Sequence, residues 1–371
     1  MISNNISLMR IPTLIVGGGI GGLSLARELA LRGLPATVFE RAQQLNPVGA
    51  GIIMNPNAMA VLERNGLAEQ VRRDSWPYLT RETRDRRGRL LATRDYRPLY
   101  DSGRLSRGAL VHRAHLLDVL YRSLPEGMVR FAAEVKRLDL SQGGLVVGAD
   151  GIHSQVRRAL FGEVAPRYMG YRSHRFVMEN VAGARCFTEY LGRGARVGLV
   201  PISETRLYVW TTFNSPRDAA LPDPRSLLEQ FTVEAVRRVA AALPPPEEII
   251  VTEIEELASE RWTSGRVALL GDAVHAMTPN IGQGAGMAME DAAVLAEELA
   301  GAAEIEHALD NYVRRRKARV ETVMRISREV GEEGQRSGAL ACWLRNRRVR
   351  REGRDAGKMQ ADLERLLAFS G

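Results

Sequence analysis

Five glycines in six residues, Gly17-Gly18-Gly19-Ile20-Gly21-Gly22, follow directly on the apolar run Leu14-Ile15-Val16. The residues after them repeat at helical spacing. Leu23, Leu25, Ala26, Leu29 and Ala30 are the apolar positions of a helix predicted over 21–32. Gly33 ends it, and Ala36-Thr37-Val38-Phe39 reads as a second strand. Strand, glycine turn, helix and strand in this order imply a βαβ unit and hence a parallel sheet. In Gly17-x-Gly19-x-x-Gly22 each glycine has its own task. Gly17 permits the turn, Gly19 clears a path for a pyrophosphate, and Gly22 lets the helix lie close to the sheet. Gly21 completes the run at the helix start, where unpaired N–H groups and the helix dipole favour an anion. The competing reading is a plain glycine-rich turn.

Glu40 follows the second strand, eighteen residues beyond Gly22 and close to the ~20 expected of an acid that binds a ribose. With its neighbour Arg41 it is placed at the cofactor edge. The alternative is a surface carboxylate paired with Arg41. A carboxylate there repels a 2′-phosphate, so the site suits the adenosine of FAD or NAD rather than NADP. A second glycine-rich segment lies far downstream: Leu269-Leu270-Gly271-Asp272-Ala273-Val274-His275, then Thr278-Pro279-Asn280-Ile281-Gly282-Gln283-Gly284. It offers an acid at a strand end and then a turn rich in backbone N–H groups. A chain that holds a long cofactor at both ends has the geometry of an FAD site.

The 371 residues, 45% hydrophobic and 26% charged, describe an ordinary globular protein of two lobes. Cys186 and Cys342 provide neither a disulfide framework nor a metal spacing, and they fit a reducing compartment, although one disulfide stays open. No metal site is expected. The first ten residues are polar, and no apolar run reaches the ~18 residues of a membrane span. A cytoplasmic protein is expected. The net charge of +8 reads as an arginine-rich surface, the basic residues being scattered among acids. No nucleic-acid motif accompanies it.

Along the chain, 47–53 reads as a flexible loop, 56–65 and 115–124 as helices, and 135–138 as a strand, followed almost at once by Ser141-Gln142-Gly143-Gly144 and the apolar Leu145-Val146-Val147. From 168 to 260 alternating segments such as Arg196–Val200 and Arg206–Thr212 predict antiparallel strands. A helix is predicted over 223–242, ended by Pro244-Pro245-Pro246. A buried strand over 267–271, a helix over 287–300 and a basic helical tail follow. The expected fold class is α/β. A Rossmann-like FAD-binding domain (1–167 and 261–330) carries an inserted, mostly antiparallel substrate lobe (168–260) and a C-terminal helical tail (331–371).

Gly148-Ala149-Asp150-Gly151-Ile152-His153-Ser154, with Val156-Arg157-Arg158, resembles the "DG" motif of FAD-dependent monooxygenases, and Gly271-Asp272-Ala273 through Gly284 resembles their "GD" motif. With the first glycine loop these motifs span nearly the whole chain. Their order is that of the single-component aromatic hydroxylases typified by para-hydroxybenzoate hydroxylase, in the branch of the salicylate, urate and alkylquinolone hydroxylases.

The resemblance implies roles. Asp272 would bond the ribityl chain of FAD. Gly282, Gln283, Gly284, Ala285 and Gly286 would bring N–H groups to the flavin N1–C2=O edge. Arg113 would reach the ribityl or phosphate region, Val135 would touch adenine through its backbone, and Ile53 would line the flavin. For Ile53 and Val135 plain core packing is an equal reading. Asp150 would combine a structural role with closeness to the cofactor, the alternative being a capped turn made by Asp150 or Ser154. Arg196 and Tyr208 match polar positions facing the substrate in urate-hydroxylating relatives, as catalytic residues that hold and orient a ring oxygen. Surface strand residues are the other reading. Asn280 stands where purine-hydroxylating relatives carry an acid, and an amide cannot act as a base. That sets the chain nearer the quinolone and phenol branches. His275 has no visible acid partner and reads as structural. Trp210, Phe213 and Trp262 read either as the lining of an aromatic pocket or, for at least two of them, as core. One departure stands out. Relatives carry a β-meander before the DG motif, and 138–145 leaves no room for it.

The implied activity is hydroxylation of an aromatic or electron-rich small molecule, with NADH or NADPH as reductant and O2 added at flavin C4a as a hydroperoxide. Two rivals share the fold: an FAD-dependent reductase or dehydrogenase, and a non-catalytic FAD-binding member. A monomer or homodimer is expected. The tail, with Trp343 and Leu344 among arginines, reads either as a peripheral membrane contact or as a solvated packing helix.

Overall fold

The computed structural model of the protein describes residues 11–45, 50–136 and 144–369. The chain opens with strand Thr13–Val16, helix Ile20–Leu31 and strand Ala36–Phe39. The two strands pair in parallel, and the first also pairs in parallel with Leu145–Gly148, so Val16 is level with both Phe39 and Gly148. Val267–Leu269 continues the sheet on one side and Val129–Arg130 on the other. A short antiparallel strand, Thr263–Ser264, completes six strands. Parallel strands in level register deliver whatever follows them to one edge. Gly17, Glu40, Asp150 and Asp272 therefore emerge side by side at the carboxyl ends of four strands, the place where open α/β sheets bind ligands.

This sheet is covered on both faces, as a parallel sheet requires. Ile15, Val38, Val147 and Leu269 are fully buried, along with Leu25 and Leu29 of the first helix and Ala292 and Leu295 of the helix Gly284–Gly301. The latter begins one turn earlier than the 287–300 expected. Its first residues are Gly-Ala-Gly, and they continue the helix into the cleft.

The second sheet has seven strands in the order Ile250–Glu256, Arg167–Glu179, Arg206–Asn214, Ala195–Pro201, Phe187–Leu191, Thr80–Asp85, Leu90–Asp95. The antiparallel lobe expected over 168–260 is thus extended by a hairpin from 80–95, whose first strand joins Phe187–Leu191 in parallel. Side chains alternate between its faces. Phe176, Val197, Leu199, Leu207, Val209 and Phe213 form the outer, apolar face, covered by two helices. These helices, Pro224–Leu228 and Glu234–Ala241, replace the single helix predicted over 223–242. Phe231 lies in the break and is buried in the cluster, so the chain turns to insert it.

Two more expectations change. Residues 51–54 are a strand, paired with Ala109–His112, rather than loop. Residues 135 and 136 carry no strand, and the rest of the predicted strand and most of the shortened stretch lie outside the described residues. The helix Ile305–Gly334 runs without a break through position 330 and is followed by Ala339–Glu352 and Ala356–Leu367.

Candidate active site

The glycine loop has the shape its sequence requires. Gly17 sits at φ +107°, a conformation open to glycine and costly for other residues. A Cβ on Gly22 would lie 1.9 Å from the Gly17 carbonyl oxygen, whereas a Cβ on Gly19 would meet nothing within 4 Å. The loop is closed on the protein side and open on the side where a pyrophosphate would approach. Glu40 makes no ion pair with Arg41. Its carboxylate accepts the Gly18 N–H at 2.7 Å and the Ala42 N–H at 2.8 Å. That fixes the acid beside the loop and leaves lone pairs for a further donor. The Ala133 N–H bonds the Glu40 carbonyl, which brings the segment ending at Val135 to the same edge; Val135 is half-buried against the core. Arg41 is exposed.

Asp150 and Ser154 both cap the helix Gln155–Phe161. Asp150 Oδ2 accepts from the Gln155 and Val156 N–H groups, and Ser154 Oγ accepts from Arg157 N. Asp150 Oδ1 is buried without a partner. Arg157 ties this loop to the GD turn by donating to the carbonyls of Ala273 and Ile152, each at 2.7 Å.

The GD turn is built around Gly271, at φ +60°. A buried acid from the 284–301 helix holds it. Asp291 accepts the Gly271 N–H at 3.1 Å, lies 2.5 Å from His275 Nε2, and accepts Arg316 Nε at 2.8 Å. His275 therefore has an acid partner, sixteen residues on in the chain and invisible to local spacing. Asp272, beside this knot, makes no hydrogen bond or ion pair with another described residue. It is crowded by protein on the cleft floor, yet its carboxylate opens to the cleft. The crowding raises its pKa, with His275 and Arg113 pulling the other way. Arg113 reaches the same cleft, and its guanidinium too is without a hydrogen bond to a described residue. The side chain is exposed to the cleft, but crowding by its walls lowers its pKa, nearby Arg175 adds to that and Asp272 opposes it. An acid and a cation left unpaired here suit a ligand rich in hydroxyls and phosphate.

Gly282 is left-handed, at φ +66°, and its carbonyl accepts the Asn55 side chain at 2.7 Å. Ile53 packs against it, 3.4 Å from where a Cβ would stand. The Gln283 side chain is fully buried and pairs reciprocally with Asn57, at 2.9 and 3.2 Å, so only its backbone remains for a ligand. Gly284, Ala285 and Gly286 form the first helical turn, where N–H groups lack intrahelical acceptors and no side chain caps them. Glu290 accepts from Asn57, Arg316 and Arg319 and secures this helix from below.

The inner face of the second sheet looks toward the cleft. Arg196 and Tyr208 share this face but not the same surroundings. Arg196 is 1% exposed, and each of its nitrogens has an acceptor: Thr212 and Gln335 for Nε, Glu189 for Nη1, Asn280 for Nη2. The sequence led us to expect Arg196 to hold a substrate oxygen; instead its nitrogens are all engaged by protein, and it positions the Asn280 loop. Tyr208 packs on the strand at Gly51, where a Cβ would be 2.5 Å from its ring. Burial pushes its pKa up to about 12, partly offset by a hydrogen-bonded Arg175. Arg175 was not singled out from the sequence. It lies opposite Trp210 in the register, its Nη2 donates to Thr252, and its Nε is buried without a partner. Trp210 lies flat over Gly198, where a Cβ would be 2.0 Å from its ring. Phe213 and Trp262 are core. Both cysteines are free thiols. Among the described residues no cluster of acids, histidines and cysteines could hold a metal, and no helix is long and apolar enough to cross a membrane.

The profile of the FAD binding domain family matches residues 10–135 and 141–327, breaking at the shortened stretch. Aurachin C monooxygenase/isomerase from Stigmatella aurantiaca is 35% identical over 97% of this chain and 98% of that protein. The 2-heptyl-3-hydroxy-4(1H)-quinolone synthase of Pseudomonas aeruginosa is 34% identical over 91% and 93%. Among solved structures, Klebsiella pneumoniae HpxO complexed with FAD and uric acid superposes with a TM-score of 0.86 at 28% identity, covering 96% of both chains. A likeness that runs through both sheets and almost every residue, over a cleft whose open loop and unpaired acid and cation fit the cofactor, leaves one assignment: the chain belongs to the FAD-binding-domain family of FAD-dependent monooxygenases.

Proposed function

We propose that this chain draws electrons from NADH or NADPH and inserts one atom of O2 into an electron-rich nitrogen heterocycle, with 4-quinolones carrying an alkyl chain as the best-fitting class. The balance is substrate–H + O2 + NAD(P)H + H⁺ giving substrate–OH + H2O + NAD(P)⁺. Bound FAD supplies the electron transfer and the activation of O2. The residues bind and orient. The observation that carries the reading is the unpaired Asp272 and Arg113 at the common edge of the parallel strands. Asp272 is assigned to the ribityl hydroxyls, Arg113 to the ribityl or phosphate region, the Gly17–Gly22 loop to the pyrophosphate and Glu40 to the ribose. The N–H groups of Gly284, Ala285 and Gly286 are assigned to the flavin edge that gains negative charge on reduction, where fixed donors stabilise it.

On the substrate side Trp210 offers a flat aromatic surface, with Tyr208 and Arg175 beside it. With its pKa near 12 Tyr208 stays neutral at physiological pH, so it orients by hydrogen bonding and takes no proton. Arg175 has a buried donor to spare for a ring carbonyl oxygen. Around Asn280 the hydrogen-bonding groups are Arg196, Tyr171 and the Ser327 carbonyl, with no carboxylate bonded to it. This favours a ring that needs no base over a purine. The two quinolone- and aurachin-named relatives, matched over more than nine-tenths of the chain, support the same choice.

The test follows NAD(P)H loss and product mass under ¹⁸O2 with 2-alkyl-4-quinolones, phenols and urate. We expect a yellow protein, quinolone-stimulated oxidation and one ¹⁸O in the product. Quinolone-independent turnover, or a product reduced without added oxygen, would sink the reading in favour of a reductase. In the same assay Arg175→Gln is expected to raise KM roughly 10–100-fold, the range for losing a charged hydrogen bond, with kcat much less affected. Loss of FAD instead would move Arg175 to the cofactor side.

A further inference from the structure

The net charge of the chain is not spread as evenly as its overall composition suggests. Residues 336–354 hold seven arginines and one glutamate, a surplus of +6 within a chain whose total is +8. They form the helix Ala339–Glu352 and its flanks. The same helix carries the three most exposed large hydrophobic side chains among the described residues: Leu340 (70%), Trp343 (54%) and Leu344 (52%). These lie at i, i+3 and i+4, one face of a helix, and Arg347 continues the stripe one turn on. Arg347 stacks over the Trp343 ring at 5.5 Å. Arg350 and Arg351 are exposed and make no ion pair with a described residue.

The opposite face is firmly seated. Cys342 and Arg345 are buried. Arg345 donates to the carbonyls of Gly192 and Gly334, at 2.8 and 3.1 Å, and a Cβ on Gly353 would lie 2.7 Å from Ala92. The helix is thus docked by one side, with its apolar stripe and the exposed Arg347, Arg350 and Arg351 held outward, whereas Arg336 and Arg348 are paired with Glu333 and Arg345 is spent on the fold. The link before it borders a groove of about 630 Å³ lined by Tyr171, Asn214 and Gln335, and Gln335 reaches Arg196.

We propose that this helix is an interfacial anchor for an anionic lipid surface. Apolar side chains beside a dense cationic field are what such a surface binds. A nucleic acid would use the arginines but leave Leu340 and Leu344 without a role. A second copy of the chain would bring like charges face to face, which disfavours pairing.

The experiment is co-sedimentation of the holoenzyme with vesicles of phosphatidylglycerol and phosphatidylcholine, against vesicles of phosphatidylcholine alone. We expect binding to the anionic vesicles that weakens as salt is raised, little binding to the neutral ones, and a loss of at least tenfold in the triple variant Leu340→Ser, Trp343→Ser, Leu344→Ser. All three side chains are exposed, so a thermal melt close to wild type is expected. A second variant, Arg347→Glu with Arg351→Glu, should also release the protein. No binding of the wild type at low salt, or equal binding by the triple variant, would overturn the assignment. A wild type that is dimeric where the triple variant is monomeric would do the same, by making the stripe a self-association face. Lipid binding is measured without substrate, so its outcome is separate from that of the quinolone assay.

Discussion

Asp291→Ala is expected to remove about 3–5 kcal/mol of folding stability, the usual cost of breaking a buried charge pair from one side. Asp291 and Arg316 are both fully buried, and the acid is shared by Arg316, His275 and the Gly271 N–H. Its removal leaves three donors short of an acceptor in a place water does not reach. The pH dependence has a definite sign. Burial alone would raise the Asp291 pKa, but His275 and Arg316 outweigh it and hold the carboxyl below its ordinary 3.8. A depressed acid contributes stability that is fully present above the unfolded pKa and is lost as pH falls through the folded one. The gap between wild type and variant should therefore be constant from pH 7 down to about 4 and narrow below that. Denaturant midpoints across this range test it. A loss under 1 kcal/mol at pH 7 would mean the knot does not brace the GD turn. Asp118→Ala, which removes an exposed pair with Arg122, is the control and should change stability by less than about 0.5 kcal/mol.

Asp272→Ala is expected to weaken FAD binding roughly 10–100-fold, the equivalent of one charged hydrogen bond or somewhat more. The carboxylate is exposed to the cleft and bonds no described residue, so alanine removes the acceptor that FAD would use. Solvent in the open cleft screens the crowding that raises its pKa, so the thermal midpoint of the apoprotein at neutral pH is expected to shift little. Titration of apoprotein with FAD and melts at pH 7 read both quantities. FAD affinity within twofold of wild type would refute the ribityl assignment whatever the melts show.

Much of the FAD lobe can be read from the chain alone, because its signals are local. Gly17 at positive φ, Gly22 under the Gly17 carbonyl and Gly33 after the first helix each answer a demand set by neighbours a few residues away. Alternation in 195–214 announces strands for the same reason. The break at Phe231 and the strand at 51–54 were missed because their causes are distant. Phe231 turns inward to fill a cluster built by other strands, and Gly51–Met54 is a strand only because Ala109–His112 lies beside it.

The site divides along the same line. Glycines, Glu40 and Asp272 are recognisable from type and spacing, since each follows a strand, and parallel strands of level register bring their ends together. Arg175 beside Tyr208, Asp291 against His275 and Arg196 turned into the Asn280 loop join residues 16 to 84 positions apart, with Arg175 and Tyr208 meeting across paired strands. No spacing rule records such pairs. The sequence by itself determined the class of fold and the family, and pointed to the edge proposed for the cofactor. Which charges are spent holding the protein together, and which remain for a ligand, only the tertiary structure decided, because a buried ion is satisfied by whatever packing brings to it.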